Sequence, residues 1–246
     1  MQLITLNTWG GRIFDELSSF LKENRSETDI FCFQEVYSQA GPDLMEAPET
    51  RLNLFAEFEG LLPDFTGHFA PQITGTGLAI FVKKKLEISE IGSSTILSAS
   101  DLAHFKMPSG NAYYPRIVQY LSIKDHNLSV YNFHGVPGAH KQDTPERDLQ
   151  IKRLGKHLAS GRSQKILVGD FNLNPDTNAI RTLERTMKNL MNGSPFTTTR
   201  SSYYKNREKL PFADYIFLSQ DITVNDFRVI PDEISDHLPL LVQFSV

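Results

Sequence analysis

The apolar run Ile166-Leu167-Val168 gives way to Gly169-Asp170-Phe171-Asn172, so a strand-like segment ends on a glycine and a carboxylate and an amide stand two residues apart just beyond it. On an extended backbone residues two apart face the same side. A carboxylate accepts a proton from water and an amide donates to a phosphoryl oxygen, so the pair points to hydrolytic chemistry on a phosphate. The same arrangement recurs along the chain. Asn7 follows Leu3-Leu6, Gln34 and Glu35 follow Ile30-Phe33, Asn132 and His134 close Leu128-Phe133, Asp214 leads into Tyr215-Leu218, and Asp236-His237 precedes Leu238. Polar groups at strand ends converge where loops gather at one edge of a sheet.

Taken singly, each of these has an ordinary reading: an Asp or Asn beside a strand forms turns and caps, and a lone histidine is a half-buried packing residue. The repetition carries the inference. In Ser235-Asp236-His237 a hard oxygen ligand stands next to an imidazole, and the two serve one site only if the backbone bends there, because neighbours on an extended chain point apart.

Short runs rich in β-branched and aromatic residues (Leu3-Leu6, Ile30-Phe33, Leu78-Val82, Ile117-Ile123, Leu128-Phe133, Ile166-Val168, Tyr215-Leu218 and Leu238-Phe244) predict strands. Helical spacing joins Phe14, Leu17 and Leu21; Ile151, Leu154 and Leu158; and Ile180, Leu183, Met187 and Leu190. Asp143-Thr144-Pro145-Glu146 predicts a capped helix start, and Gly193 a stop after the Ile180 helix. The expected class is α/β, with mixed sheets and helices outside. No linker-like stretch divides residues 1–246, which predicts one domain.

The chain has 246 residues, is 40% hydrophobic and 22% charged, and carries a net charge of −4. This composition supports a packed core and argues against a uniformly basic nucleic-acid-binding surface, though not against a local basic groove. With a single cysteine, Cys32, inside an apolar run, no intrachain disulfide forms. No apolar run approaches the roughly 18 residues of a membrane helix. The expectation is a cytoplasmic, soluble monomer without stable membrane association.

Asn7, Glu35 and Asp236 supply oxygen ligands without a cysteine or histidine cluster, which suits Mg²⁺ or Mn²⁺ rather than structural zinc. Carboxylates gathered in one pocket repel one another, and a divalent cation relieves that repulsion. His-x-His, His-Glu-x-x-His and Cys-x-x-Cys spacings do not occur, so zinc hydrolase chemistry has no support.

Leu6-Asn7-Thr8-Trp9, Phe33-Gln34-Glu35-Val36, Asn132-Phe133-His134-Gly135, Gly169-Asp170-Phe171-Asn172, Phe212-Ala213-Asp214-Tyr215 and Ser235-Asp236-His237-Leu238-Pro239 resemble, in order, the motifs of the endonuclease/exonuclease/phosphatase superfamily. The resemblance implies a DNase I-like, four-layer sandwich of two mixed β-sheets flanked by helices, with the site at one edge between the sheets. It also implies roles: Glu35, with Asn7 and Asp236, holds the metal; Asp170 orients or deprotonates the attacking water; Asn172 binds the phosphate; and His237, paired with Asp214, and His134 stabilise the transition state and the departing oxygen. Arg116 stands where the family often places a phosphate-contacting side chain.

The expected activity is metal-dependent hydrolysis of a phosphate ester, first of all a phosphodiesterase or nuclease acting on nucleic acid or nucleotide. The alternatives are a phosphomonoesterase of a small phosphorylated metabolite or lipid headgroup and, from another class, an inactive binding scaffold. The nucleic-acid reading rests on residues 193–211, where Phe196, Arg200, Tyr203, Tyr204, Lys205, Arg207 and Lys209 interleave charge and aromatics, Arg200 among them as a candidate substrate contact. A second loop after His134, residues 135–147, carries His140, Lys141 and Arg147 and reads mainly as a connection into a helix. Leu210-Pro211-Phe212-Ala213 lacks the Trp-Cys-Asp-Arg run of inositol polyphosphate 5-phosphatases, which disfavours that substrate.

Overall fold

The computed structural model describes residues 1–103, 114–138, 140–160 and 164–246. In chain order the elements are β1 (Gln2–Asn7), α1 (Phe14–Asn24), β2 (Ile30–Tyr37), α2 (Leu54–Leu61), β3 (Phe65–Ile73), β4 (Thr76–Lys83), β5 (Ile88–Leu97), α3 (Ala99–Leu102), β6 (Arg116–Ile123), β7 (Leu128–His134), α4 (Pro145–Ala159), β8 (Gln164–Asp170), α5 (Asn178–Glu184), β9 (Lys188–Asn189), β10 (Asp214–Leu218), β11 (Thr223–Val229) and β12 (Leu240–Ser245). They build two six-stranded sheets, ordered β11-β12-β1-β2-β4-β3 and β5-β6-β7-β8-β10-β9. Both are mixed: β1 runs parallel to β2 and β7 to β8, and the other pairings are antiparallel.

Alternation along the central strands makes the layers. In β1 and β2, Leu3, Ile30 and Cys32 join Val118, Leu121 and Val130 of the second sheet in the core between the sheets. The intervening Ile4, Leu6, Phe31 and Phe33 point the other way and pack on Leu17, Phe20 and Leu21 of α1 and Leu54 and Phe58 of α2. On the far side of the second sheet, Ile151, Leu154 and Leu158 of α4 and Ile180 and Leu183 of α5 cover β7, β8 and β10. Each fully buried Leu or Phe contributes about 1.5–3 kcal/mol. Burial also pushes the Cys32 thiol far up, keeping it protonated and inert.

Seven of the eight apolar runs lie within strands and the eighth, Leu238-Phe244, enters β12 at Leu240, whereas β3, β5, β9 and β11, which carry no such run, are the edges of the two sheets or, in β9, a two-residue edge piece. Two local expectations are corrected. The Ile180 helix stops at Glu184, and Lys188–Asn189 pairs with β10, so Met187, in the turn that closes the helix, and Leu190, just past β9, reach the core without a third helical turn. At the start of α4, Thr144 occupies the cap position without a side-chain bond, and Asp143 instead accepts from the backbone N–H groups of Asn178 (2.7 Å) and Ala179 (3.0 Å). Asp143 therefore caps α5, tying the loop after β7 to the helix after β8.

Candidate active site

Strand register assembles one half of the site. In the parallel β7–β8 pair His134 lies opposite Asp170, and in the antiparallel β8–β10 pair Asp214 lies opposite Asp170, so three of the candidate residues stand in a row at the ends of adjacent strands. Positive φ at Gly169 (133°) lets the β8 backbone pass close to Phe133, where a Cβ would sit 2.0 Å from its carbonyl oxygen. Beyond Asp170 the backbone leaves the extended region, with Asn172 at φ 55°, and Asn172 N–H donates to Asp170 Oδ1 at 2.8 Å. The pair therefore meets through a tight turn rather than along a straight strand.

The other half comes from β1 and β2, where Asn7 lies opposite Gln34. Alternation alone would turn Glu35 toward the helices. A bulge between Phe33 and Val36, with Glu35 at φ 54°, re-aims it, and Asn7 Nδ2 donates to Glu35 Oε1 at 3.0 Å and to Asp170 Oδ2 at 3.2 Å. Asn7 Oδ1 accepts from Trp9 N–H at 3.0 Å, so Asn7 meets Glu35 through its amide nitrogen. Residues 235–237 do bend: Ser235 Oγ donates to the Asn7 carbonyl at 2.7 Å, Arg200 and His237 form an isolated bridge, and Asp236 and His237 reach the same site.

Asn132 and Gln34 belong to the frame. Gln34 Nε2 donates to Asn132 Oδ1 at 2.7 Å, and Asn132 Nδ2 donates to the Phe33 and Ala79 carbonyls at 3.0 and 3.2 Å. These wholly buried amides staple the two sheets together beneath the site.

The electrostatics of the halves differ. His237 Nδ1 is 2.9 Å from both Asp214 oxygens, and Thr199 Oγ1 donates to Asp214 Oδ2 at 2.8 Å. His237 Nε2 lies 3.6 Å from Asp170 Oδ2 and also contacts Arg200 Nη1. Burial and the Arg200 charge pull the His237 pKa down, but Asp214, Asp236 and Asp170 together lift it above the ordinary histidine value. Burial alone would raise the Asp170 pKa; His237, Lys141, His134 and Arg200 hold it well below the carboxylate range. His134 is pushed down to about 3 by burial and the Arg116 charge, so it is neutral near pH 7. Its Nε2 lies 3.7 Å from Asp170 and 3.9 Å from Glu35.

Glu35 behaves oppositely. Burial and then the Asp236 carboxylate raise its pKa to about 7, with the Asn7 amide only partly offsetting them. A carboxylate penalised in this way, beside a second one, fits a divalent cation bound by hard oxygens. Asp170, Asp214 and His237 also offer ligand atoms within 4.8 Å of one another. There, however, Asp214 holds His237 Nδ1, Asn172 and Asn7 donate to the two Asp170 oxygens and Arg200 contacts His237 Nε2, so the Glu35–Asp236 side is the better place for a cation.

Of the two basic residues singled out as substrate contacts, Arg200 is buried in the site, 3.6 Å from Asp236 Oδ2, with its guanidinium carbon 4.2 Å from the Tyr204 ring centroid. Arg116 is buried at the start of β6, close enough for its charge to act on His134. Sequence reading gave too little weight to Lys141 and to Thr199. Lys141 is 2% exposed and donates to Asn172 Oδ1 at 3.2 Å. Both lie in loops, where no periodicity marks a side chain as buried; the cluster of turn and capping residues around Lys141 was the available signal.

No curated protein matches the chain in a search by sequence. Among solved structures, the endonuclease/exonuclease/phosphatase from Bacteroides vulgatus has 18% identity over 100% of this chain and 98% of that one, with a TM-score of 0.74. A mannosyl-6-phosphatase from Bacteroides thetaiotaomicron has 18% identity over 100% of both chains, with a TM-score of 0.75. TDP2 from D. rerio, complexed with a single-strand DNA product, has 14% identity over 100% of this chain and 99% of that one, with a TM-score of 0.69. At these identities the likeness is one of fold, and the two-sheet sandwich is common to all three. The sequence profile of the Endonuclease/Exonuclease/phosphatase family, by contrast, matches residues 4–237, from within β1 to His237 itself, and the chain belongs to that family of phosphate-ester hydrolases.

Proposed function

We propose that this chain hydrolyses a phosphate ester with the help of a divalent cation held on the Glu35–Asp236 side, Mg²⁺ or Mn²⁺ by the hardness of its ligands. The observation that carries the reading is a pair of unlike carboxylates, joined by Asn7: Asp170, held charged among donors, and Glu35, left without a cationic partner. The cation supplies Lewis-acid stabilisation of charge on the phosphoryl oxygens. Asp170, charged and acceptor-only, orients the attacking water and takes its proton. Asp214 fixes His237 with Nδ1 protonated and Nε2 directed into the site, where the imidazole stabilises charge on the phosphoryl or departing oxygen. His134, being neutral, adds a hydrogen bond rather than a charge, and Asn172 and Arg116 border the phosphate position.

The nucleic-acid expectation draws less support from residues 193–211 than their composition suggests. Arg200 turns into the site, Phe196 packs edge-on against Phe227, and Tyr203 alone of the loop's aromatics is largely exposed, at 44%.

The reading is tested by assaying the purified chain on p-nitrophenyl phosphate, bis-p-nitrophenyl phosphate and single-stranded oligonucleotides, each with Mg²⁺, Mn²⁺ or EDTA. Turnover that EDTA abolishes and the ions restore is the expected result. Equal rates in EDTA, or no turnover of any ester, would overturn it.

A further inference from the structure

We propose that Lys141 and Arg200, both laid against the Tyr204 ring, form a clamp for the second negative charge of a dianionic phosphate, which makes a phosphomonoester the preferred substrate. This rests on the phosphate-ester hydrolysis proposed above and names its substrate class.

Lys141 is held where chance would not leave a lysine. Its backbone takes the left-handed conformation (φ 50°), its carbonyl accepts from Asn174 N–H at 2.8 Å, and its loop is pinned by Arg147, which donates to the Gln142 carbonyl at 2.5 Å and the Val136 carbonyl at 3.3 Å. The ammonium donates to the neutral Asn172 amide and lies 5.6 Å from the Tyr204 centroid, and among the described residues no carboxylate oxygen comes within 4.0 Å of it. Burial pushes its pKa down to about 8, so the charge is held at a cost. Asp170 and Asp214 favour the charge only from beyond ion-pair distance and do not offset the burial; a buried ammonium set directly on an amide is arranged to receive an anion.

Arg200 complements it. The side chain is 3% exposed, its Nε has no hydrogen-bond partner among the described residues, and its charge, like that of Lys141, acts on Asp170. Lys141 thus reaches the site from the Asn172 side, and Arg200 from the His237 side, 3.6 Å from Asp236 Oδ2. A diester carries one negative charge, which the metal side and the Asn172 and histidine donors suffice to meet. The charge of Lys141, with that of Arg200 held at 3.6 Å from Asp236, matches a group that bears another negative charge. Lys141, Asn172 and Arg200 are also all buried, which suits a terminal phosphoryl group better than one with ester arms on both sides. Hydrolysis then puts the oxygen of water on phosphorus and releases the alcohol, leaving inorganic phosphate in the clamp.

The test compares wild type, Lys141→Met and Lys141→Arg, with the same metal, on p-nitrophenyl phosphate and bis-p-nitrophenyl phosphate, and measures inorganic phosphate binding by calorimetry. Wild type is expected to favour the monoester. In Lys141→Met the monoester-to-diester ratio of kcat/KM falls about 30-fold, the scale of one lost charge-assisted hydrogen bond, mainly through KM. Phosphate affinity falls similarly, and Lys141→Arg restores most of both. A diester preference in wild type, or an unmoved ratio with unmoved phosphate affinity, overturns the clamp. Absence of hydrolysis of either ester overturns the reaction class instead, and the calorimetric comparison distinguishes the two failures.

Discussion

On the second sheet, Asp170 and Asp214 each sit among donors: Asn172 N–H and Asn7 Nδ2 on one, His237 and Thr199 on the other. On the first sheet, Glu35 has the Asn7 amide and faces the repulsion of Asp236. The half assigned to proton chemistry is therefore organised by the protein itself, while on the half assigned to the cation Glu35 keeps a repulsion with Asp236 that Arg200, 3.6 Å from Asp236, does not cancel. The contrast teaches where binding and folding are coupled. A preorganised donor set stabilises a transition state without rearrangement, whereas a carboxylate left in repulsion couples protein stability to metal concentration.

The largest effect is expected from the organised half. His237→Ala should lower kcat by about 100-fold or more, the scale of one lost transition-state donor, with circular dichroism unchanged; near-normal turnover in the folded variant would remove His237 from the reaction. The cation-dependent half is sharpened by stability rather than rate. Saturating Mg²⁺ or Mn²⁺ at about 100 times Kd should stabilise wild type by about 2.7 kcal/mol, seen as a rise in Tm. Glu35→Gln should lose most of that rise while its metal-free Tm stays level or increases, since the repulsion with Asp236 has been relieved. A full metal response in Glu35→Gln would break the comparison.

The staple joining the halves comes next. Asn132→Ala removes the donor to the Phe33 and Ala79 carbonyls and leaves Gln34 Nε2 with Thr5 Oγ1 as its side-chain partner, and should cost about 2 kcal/mol in denaturant unfolding; a change within error would mean that the sheets are held by apolar packing alone. The smallest effect belongs to the frame of the organised half. Asp143→Ala removes the cap of α5 and should cost about 1 kcal/mol, or about 2–4 °C in Tm for a chain of this size. An unchanged Tm would show that Thr177, which also accepts at that helix start, suffices.

What was legible before any coordinates follows burial. The eight apolar runs mark strands enclosed by neighbours, whose side chains are selected on one or both faces. The edge strands β3, β5 and β11 are half open, so their patterns blur with polar residues, and each was missed. The helix α2, with Leu54 and Phe58 as its buried contacts, was missed because a two-turn helix offers too few periods to read. The Ile180 pattern ran on past its helix because Met187 and Leu190 have the same destination, the core, by a different backbone route.

The candidate residues Asn7, Glu35, His134, Asp170, Asn172, Asp214, Asp236 and His237 could be chosen from sequence because residue type at a strand end is a local property. Their chemical differences are not local. Whether Glu35 turns toward Asn7 depends on a bulge in β2, and whether Asn7 presents oxygen or nitrogen depends on the Trp9 backbone. That His134 is neutral while His237 is drawn toward the charged form depends on which charges the fold sets beside each. Lys141 shows the limit most plainly, since its seat on the Asn172 amide, rather than on a carboxylate, is a fact about space. Composition and periodicity determined the layers and the kinds of groups at hand, because hydrophobic burial follows residue type. Tertiary structure alone decided their protonation and pairing, because electrostatic free energy depends on distances between residues far apart in the chain.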